Sequence, residues 1–494
     1  MMKNKKIALL TLCAMLATAA PVMAEDADTT DSSVYINGSK VQVEGYNIKD
    51  NNYFKLRDIG RLLDFAVEWD GETNSVRINT SKAYREDGPA EPGEAARVLQ
   101  KNNWAPATYE ALHKLITENG IMSPAYSAAD KPYAVFDCDN TTVINDIEEA
   151  LLIYQLENLR FKIAPEQMAE VLETGIPDIE QPFEDSYKNS EGSALNVKIL
   201  AEDCASDYEY LYKNYTGFGA GGTVSLDEIK QTDEYQDFKA KVRFLYAAVN
   251  DTFDASVGYP WVTYLFTGMT SAEVQALATE SHDYWLSYGE FKKETWTSPE
   301  SLPGKAGVVS VSYKTGLAFP EEMKDLYNTL MENGIDVYVC SASFYDVVYA
   351  AVTNPKYGYN VKSGNVYAMR LKTDGQGRYI NEYDDNYFQT QGKGKAHTVN
   401  AFIRGMYKNR GPILVAGDSA GDFNMITEYP DMQLGLIVNR VRSDSFMSIS
   451  KEAAESIGAE DAKYVLQGRD ENSGMFRASE KSILLGETEE KLTK

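Results

Sequence analysis

The chain has 494 residues, 43% of them hydrophobic, and carries 48 basic against 74 acidic side chains, a net charge of −26 at pH 7. The hydrophobic content excludes a disordered chain, and the length exceeds one ordinary domain, so we expect two or three domains. The excess of acidic side chains argues against nucleic-acid binding, because an acidic surface repels phosphates.

The first 24 residues have the layout of a secretory signal peptide. Lys3, Lys5 and Lys6 precede an apolar run from Ile7 to Ala20, and the small residue Ala24 closes the segment. This run is shorter than the ~20 residues that a membrane-spanning helix needs. We expect cleavage near Ala24 and a secreted or cell-surface product with no transmembrane segment. The net charge of the cleaved product is −26 − 3 = −29, since three lysines and no acidic residues are removed with residues 1–24.

Residues 33–84 are predicted to form a small β-rich domain. Val34–Ile36 and Val41–Val43 flank an Asn-Gly turn, and Leu56–Leu63 has the spacing of a helix. Hydrophobic residues then alternate with polar ones on both sides of the Asp70-Gly71 turn.

Three short segments of this domain resemble the copper amine oxidase N-terminal-like stalk domain of bacterial exported proteins. They are Tyr46–Ile48, Tyr53–Asp58 and Val67–Gly71. The resemblance implies an accessory module that contacts the cell surface or another protein. We expect no copper site, because no histidine precedes His113.

Glycine, proline and acidic residues dominate 85–96, which is typical of a linker, so we expect a second domain over 97–494. Short apolar runs in this domain, predicted to be buried strands, are Tyr133–Phe136, Val337–Cys340, Ile413–Ala416 and, further on, Leu434–Val438. Helical segments alternate with these runs, as at Pro320–Asn333. The pattern predicts an α/β fold, a Rossmannoid parallel sheet with helices on both faces.

A large helical cap is predicted inside this domain. About two hundred residues separate Asp139 from Ser341, whereas strands of one open sheet need only short connections. The intervening composition is helical, so we expect a cap over about 145–315, inserted after the first strand.

Polar side chains follow the predicted strands in a fixed order. Asp137, Asp139 and Thr141 follow the first run, and Ser341 follows the second. Lys395 comes next, and Asp418 and Asp422 follow the third run. Ligands of open parallel sheets bind beyond the carboxyl ends of the strands, so we expect these side chains to meet there.

This set of side chains suits phosphoryl transfer. Asp137 is predicted to attack phosphorus and form an aspartyl-phosphate, and Asp139 to act as general acid and then as general base. Asp137, Asp139 and Asp418 are predicted to hold Mg²⁺, which offsets the repulsion among carboxylates and phosphate.

The remaining motif residues are predicted to support that chemistry. Ser341 is expected to hydrogen-bond a phosphoryl oxygen, and Lys395 to supply a compensating positive charge. Asp422 and Thr141 are expected to orient the lysine and the metal loop. The nearby Lys393 remains an alternative to Lys395, because each follows a glycine.

The order Asp-x-Asp-x-Thr, Ser, Lys and Gly-Asp-x-x-x-Asp resembles the haloacid dehalogenase (HAD) superfamily over residues 130–440. The second aspartate, Asp139, marks the phosphatase branch of the superfamily, because the dehalogenases lack an aspartate at this position. The resemblance implies an enzyme that hydrolyses small phosphate monoesters with Mg²⁺ as cofactor.

Asp137–Thr141, Ser341–Phe344 and the segment from Trp261 to Thr270 resemble the phosphorylcholine phosphatase-like group of that superfamily. This implies a substrate with a quaternary ammonium, which aromatic faces and carboxylates bind. Cys138 departs from the group, which often has a larger residue there. Candidates for the cation pocket are Trp261, Tyr259, Tyr284, Trp285, Asp146 and Glu149.

Other interpretations remain open. The substrate is alternatively phosphoserine, phosphoethanolamine or a broad range of monoesters, or the chain is a non-catalytic surface protein on the same fold. A disulfide between Cys138 and Cys340 is conceivable. Gly417-Asp418-Ser419-Ala420-Gly421 also matches the serine-esterase elbow, but the triad in its usual order is excluded because no histidine follows His397.

Overall fold

The computed structural model of the chain describes residues 28–30, 34–36, 39–41, 43, 45–48, 51–63, 65–70, 75–79 and 97–493. The predicted signal peptide, 1–24, and the predicted linker, 85–96, lie outside these residues. The chain divides into two compact units, Met1–Glu94 and Ala95–Lys494. Among the residues described, no helix combines the length and apolar character needed to cross a membrane.

The described part of the first unit consists of short antiparallel strands and a helix, α1 Leu56–Leu62. The strands are β1 Asp28–Thr29, β2 Val34–Ile36, β3 Ser39–Val41, β4 Gly45–Ile48, β5 Asn51–Phe54, β6 Ala66–Asp70 and β7 Ser75–Asn79. They pair as β2 with β3, β6 with β7, and β4 with both β1 and β5. The predicted helix and both predicted hairpins are present, but the second strand of the first hairpin is Ser39–Val41, whereas Val41–Val43 was predicted. The resemblance to a stalk domain stays a prediction.

The second unit alternates helices and strands. Its helices are α2 Pro106–Asn119, α3 Ile147–Glu157, α4 Met168–Glu173, α5 Val197–Asn214, α6 Leu226–Ile229, α7 Asp233–Thr252, α8 Ala255–Trp261, α9 Ser271–Tyr288, α10 Glu321–Glu332, α11 Tyr345–Val352, α12 Lys393–Thr398, α13 Phe423–Thr427 and α14 Met447–Glu455. Its strands are β8 Tyr133–Phe136, β9 Lys293–Thr297, β10 Ser310–Lys314, β11 Asp336–Phe344, β12 Val366–Met369, β13 Leu371–Thr373, β14 Tyr379–Tyr383, β15 Leu414–Gly417, β16 Leu434–Val438, β17 Tyr464–Gln467, β18 Arg469–Asp470, β19 Met475–Phe476, β20 Ser482–Ile483 and β21 Glu490–Lys491.

Six of these strands form one parallel sheet in the order β12-β11-β8-β15-β16-β17. Strands β8, β15 and β16 are buried along their whole length, as their continuous apolar sequences predict. Phe136 pairs with Val339 on one side and with Ala416 on the other. The ends of the three central strands therefore lie side by side, and the predicted α/β fold is confirmed.

Strand β11 is longer than predicted and contains Ser341 instead of ending before it. Its pairing with β8 stops at Val339, and its register with β12 shifts between Cys340 and Phe344. β11 therefore extends past the end of β8, and Ser341 lies in this extension, at the same edge of the sheet as the other motifs.

The segment between β8 and β11 is mostly helical and includes α3 to α9 and the antiparallel hairpin β9-β10. Within residues 97–493 it contributes no strand to the six-stranded sheet. The separate cap over about 145–315 stays a prediction. The conceivable disulfide is not formed, since Cys138, Cys204 and Cys340 are free and buried.

A buried cluster of three carboxylates and one lysine joins α5 to α7. Lys241 Nζ lies 2.8 Å from Asp203 Oδ2 and 2.7 Å from Asp237 Oδ2. Burial, together with the neighbouring carboxyl group of Asp237, raises the pKa of Asp207 to about 9. Asp207 therefore keeps a proton at neutral pH in the folded protein.

We expect Asp207→Asn to stabilise the protein more at pH 8 than at pH 5, by at least about 1 kcal/mol. The raised pKa makes the folded wild type bind a proton that the unfolded chain releases above about pH 4, so wild-type stability falls as pH rises toward 9. The amide of the variant needs no proton. Urea unfolding at both pH values measures the difference.

The matched control is Asp203→Asn. Asp203 accepts hydrogen bonds from the backbone N–H groups of Lys305 and Ala306 and pairs with Lys241, so this variant should lose stability at both pH values. Equal effects of Asp207→Asn at pH 5 and pH 8 would contradict the assigned protonation.

Candidate active site

A buried lysine joins two aspartates at the carboxyl edge of the sheet. Asp137 follows β8, and its backbone N–H donates to the carbonyl of Ala416 in β15 at 3.0 Å. Lys395 Nζ, on α12, lies 2.5 Å from Asp137 Oδ1 and 2.6 Å from Asp422 Oδ1. Lys395 is 2% exposed, whereas Lys393 is on the surface. The structure therefore places Lys395, and not Lys393, in the site.

Asp139 faces the same site and is held by two serines. Its Oδ2 accepts hydrogen bonds from Ser343 Oγ at 2.6 Å and Ser341 Oγ at 3.3 Å, and its Oδ1 accepts from the backbone N–H of Ile147 at 2.7 Å. Burial raises the pKa of Asp139, and the bond from Ser343 only partly opposes this. Asp139 is thus suited to carry a proton.

The loop after β15 is cross-linked by its own aspartates. Asp418 accepts from Thr141 Oγ1 at 3.1 Å and from Arg440 Nη1 at 2.7 Å. Asp422 Oδ2 accepts from the backbone N–H groups of Asp418 at 3.0 Å and Ser419 at 3.3 Å. Asp422 therefore fixes the loop that presents Asp418, as predicted for a residue of the metal loop.

The carboxylates of the site fit a divalent cation. Oxygen atoms of Asp137, Asp418 and Asp422 all lie within 4.8 Å of one another. Burial, followed by the charge of Asp422, raises the pKa of Asp137 well above its usual range. With Asp139, four carboxyl groups lie beside the lysine and the arginine described above, so acidic groups outnumber basic ones among these residues. Carboxylate oxygens are ligands that Mg²⁺ prefers.

The cluster differs in one member from the predicted metal set. Asp139 is not among the three clustered carboxylates, and its two oxygens accept hydrogen bonds from the backbone N–H of Ile147 and from Ser343. Its role as a metal ligand stays a prediction.

A cavity of about 100 Å³ lies over these groups. Its lining includes Asp137, Asp139, Lys395 and Asp418 together with Asp146, Glu148, Tyr246 and Tyr259. A second cavity of about 990 Å³ adjoins it, because Asn140, Asp146 and Arg440 line both. The reacting groups thus face a small chamber with a larger one beside it.

The structure corrects the placement of Trp261. Tyr259 lines the small cavity, but Trp261 is 1% exposed and lies in the core, where its Nε1 donates to the carbonyl of Leu172 at 2.8 Å. Both residues belong to α8, and positions two apart on a helix point to nearly opposite sides. Trp285 lines the larger cavity, and Tyr284 lines neither.

The three acidic residues at the start of α3 have different hydrogen-bond partners and do not all line the same cavity. Asp146 caps the helix by accepting from the backbone N–H groups of Glu148 and Glu149, each at 2.9 Å. Glu149 accepts a hydrogen bond from Arg243 and lines only the larger cavity. Glu148 Oε2 accepts from the backbone N–H of Phe344 at 2.6 Å, while its Oε1 is buried without a partner among the described residues.

Sequence reasoning missed four residues of the site: Glu148, Tyr246, Ser343 and Arg440. Arg440 had a usable signal, because it closely follows the predicted strand Leu434–Val438, whose end lies at the same edge of the sheet. Nothing in the sequence distinguished Glu148 from Glu149, since the residue at which α3 begins decides which of the two faces the small cavity.

The parallel sheet with these motifs at its carboxyl edge is a haloacid dehalogenase-like fold. No family model matches the sequence. The crystal structure of a conserved protein of unknown function from Anaerococcus prevotii is 34% identical, with a TM-score of 0.73, and the match covers 80% of this chain and 99% of that one. The chain belongs to the same family as this protein.

The chain is also similar to a protein whose activity is named. It is 26% identical over 344 residues to phosphorylcholine phosphatase of Pseudomonas aeruginosa, a match that covers 66% of this chain and 76% of that protein.

Proposed function

We propose that this chain is a magnesium-dependent phosphomonoesterase that works through an aspartyl-phosphate on Asp137. The observation that carries this proposal is the contact of one buried lysine, Lys395, with Asp137 and Asp422, beside Asp418 and in a cavity shared with Asp139. The similarity to a phosphorylcholine phosphatase supports it. A non-catalytic protein has no need for so many buried carboxylates, whose desolvation is costly.

The first chemical step uses Asp137 and Asp139. Lys395 contacts one carboxylate oxygen of Asp137, and the other attacks phosphorus. The bond from phosphorus to the ester oxygen breaks, and its electron pair leaves with that oxygen, which takes the proton of Asp139. The raised pKa of Asp139 suits this donation.

In the second step a water molecule hydrolyses the aspartyl-phosphate. The ionised Asp139 takes a proton from the water, whose oxygen attacks phosphorus, and the carboxylate of Asp137 is released. In this proposal the hydroxyl of Ser341, which lies 3.3 Å from Asp139 Oδ2, donates to a phosphoryl oxygen, and Lys395 offsets negative charge throughout. Mg²⁺, held by Asp137 and Asp418 when bound, supplies further positive charge to the phosphoryl oxygens.

We propose phosphocholine or a related small amino-alcohol phosphate as the substrate. Asp146, Glu148, Tyr246 and Tyr259 line the small cavity together with the reacting groups. Aromatic faces and carboxylates attract a quaternary ammonium, and Glu148 Oε1 has no hydrogen-bond partner within the described part of the chain. Glu149 is a weaker candidate than predicted, because Arg243 neutralises it.

Burial, followed by the charge of Asp146, raises the pKa of Glu148 well above its usual range, and a cation bound beside it favours its ionised form. We therefore expect Glu148→Gln to raise KM for phosphocholine by about tenfold, the effect of losing roughly 1.4 kcal/mol of binding free energy. The amide keeps the acceptor for the backbone N–H of Phe344, so the helix start is preserved. KM for an alkyl phosphate whose alkyl group carries no positive charge should stay within about twofold, and this substrate is the control. A panel of phosphocholine, phosphoethanolamine and ethyl phosphate measures both. Equal losses on all three would contradict recognition of the cation by Glu148.

The adjoining cavity of about 990 Å³ favours a second candidate, a phosphatase of broad specificity or one acting on phosphoserine. That volume far exceeds an amino alcohol and leaves room for larger leaving groups. The same panel, extended with phosphoserine and a sugar phosphate, distinguishes the two. Similar kcat/KM values across the panel would favour the broad phosphatase.

We also propose that the chain is exported and that its first unit contacts the cell surface or another protein. The proposal depends on the signal-like layout of residues 1–24 and the segments that resemble a stalk domain. N-terminal sequencing of protein recovered outside the cells should give Glu25 as the first residue. Recovery of only the intact chain inside the cells would contradict export.

A further inference from the structure

The loop that carries Asp137 and Asp139 is bound by an arginine from the C-terminal part of the chain. Arg469 lies in β18 and is 0% exposed. Its Nη1 donates to Asn140 Oδ1 at 3.0 Å and to the carbonyl oxygen of Asn140 at 3.4 Å. One guanidinium nitrogen thus holds both the side chain and the backbone of the residue next to Asp139.

Asn140 has an unusual backbone conformation. Its φ is 60°, in the left-handed region that few residues other than glycine adopt and that asparagine tolerates best. Its N–H donates to the carbonyl of Asn145 at 3.0 Å. Because Asn140 separates Asp139 from Thr141, which reaches Asp418, its conformation sets how both neighbours point.

The guanidinium itself is fixed by a second set of contacts. Arg469 Nη2 lies 2.5 Å from Glu471 Oε1, and Glu471 Oε2 accepts from Lys314 Nζ at 3.2 Å and from the backbone N–H of Leu485 at 3.2 Å. Burial would raise the pKa of Glu471, but the charges of Arg469 and Lys314 lower it to about 2. The pair is therefore ionised and held in place.

We propose that Arg469 is a positioning residue for phosphoryl transfer, acting through Asn140 on the loop Asp137–Thr141. Burying a guanidinium is costly, so a purely structural role could be filled more cheaply by apolar side chains. The contact with Asn140 explains the buried charge, because it fixes the left-handed residue that separates Asp139 from Thr141. This inference rests on the proposed function.

The test variant is Arg469→Met combined with Glu471→Gln, which removes the contact without leaving a buried charge unpaired. We expect kcat to fall about 10²-fold, the effect of a small misplacement of reacting groups, while KM changes by less than about threefold. Asn140→Ala should lower kcat similarly. Adding it to the double variant should cause a smaller further loss than it causes alone, because both changes remove the contact with Asn140 Oδ1.

The matched control is Lys314→Met, which removes the other ion pair of Glu471 but leaves Arg469 and Asn140 together. Its kcat should stay within about twofold of wild type. Unchanged kcat in the Arg469 variant, or effects of Arg469 and Asn140 that simply multiply, would overturn the inference. If the double variant fails to fold, Arg469→Lys, which keeps the charge but cannot hold Asn140 in the same way, takes its place with the same expectation.

A readout without catalysis separates this inference from the proposed function. Hydrogen exchange of the amides in residues 138–145 should accelerate at least about tenfold in the Arg469 variant and remain unchanged in Lys314→Met. If wild type hydrolyses no ester but exchange responds in this way, the proposed function fails while the positioning contact stands. Unaltered exchange in the Arg469 variant overturns the inference whatever the activity.

Discussion

Asp137→Asn is expected to lower kcat for phosphate monoesters by about 10³-fold or more, as loss of a nucleophile does, while leaving the fold intact. The amide has nearly the same shape and keeps an oxygen that accepts the hydrogen bond from Lys395. It cannot attack phosphorus to form the acyl-phosphate. Hydrolysis of a chromogenic monoester in the presence of Mg²⁺ measures the effect, and circular dichroism checks the fold.

The control for this experiment is Asp227→Asn, an equivalent change at an exposed position on α6 that lines neither cavity. Its activity should equal that of wild type. An Asp137→Asn protein that keeps most of its activity would place the nucleophile elsewhere. A wild type that is inert on a broad panel of monoesters would instead favour the non-catalytic surface protein.

Lys395→Met is expected to abolish activity and also to destabilise the protein by about 3–5 kcal/mol, the usual cost of removing one partner from a buried ion pair. The ammonium is 2% exposed and contacts both Asp137 and Asp422. Without it, two buried carboxylates lose the cation that they share. Added Mg²⁺ should restore part of the stability, because a divalent ion offsets the same negative charge.

Lys393→Met provides the matched control, two residues away on the same helix. Lys393 is exposed, and substitutions at such positions usually change stability by no more than about 0.5 kcal/mol. Urea unfolding of both variants with and without Mg²⁺ compares them. A larger loss of stability or activity in Lys393→Met than in Lys395→Met would reverse the assignment of the lysine.

The sequence was sufficient to predict a parallel sheet and the bounds of several of its buried strands. β8 has the predicted bounds Tyr133–Phe136, and β15 and β16 lie within one residue of prediction, because short continuous apolar runs are typical of buried parallel strands. Once the sheet is parallel, Asp137 and Asp418 must meet at its carboxyl edge. Local patterns and one topological rule were enough for this part of the site.

The rest of the site depends on contacts between residues far apart in the chain. Glu148 and Tyr246 come together only when α3 and α7 pack, and Trp261 turns into the core because of where α8 begins. Arg469 reaches Asn140 across more than three hundred positions and belongs to no recognised motif. Local sequence patterns carry no information on such pairings.

The most direct test of the account is to identify the group that carries phosphorus during turnover. Wild type is mixed with phosphocholine and Mg²⁺, quenched in acid within the first turnover, treated with borohydride to convert an acyl-phosphate into a stable alcohol, and analysed by peptide mass spectrometry. The account predicts that Asp137, and no other residue, appears as homoserine. Rapid release of phosphate with Asp137 unmodified, or modification at another carboxylate, would contradict it.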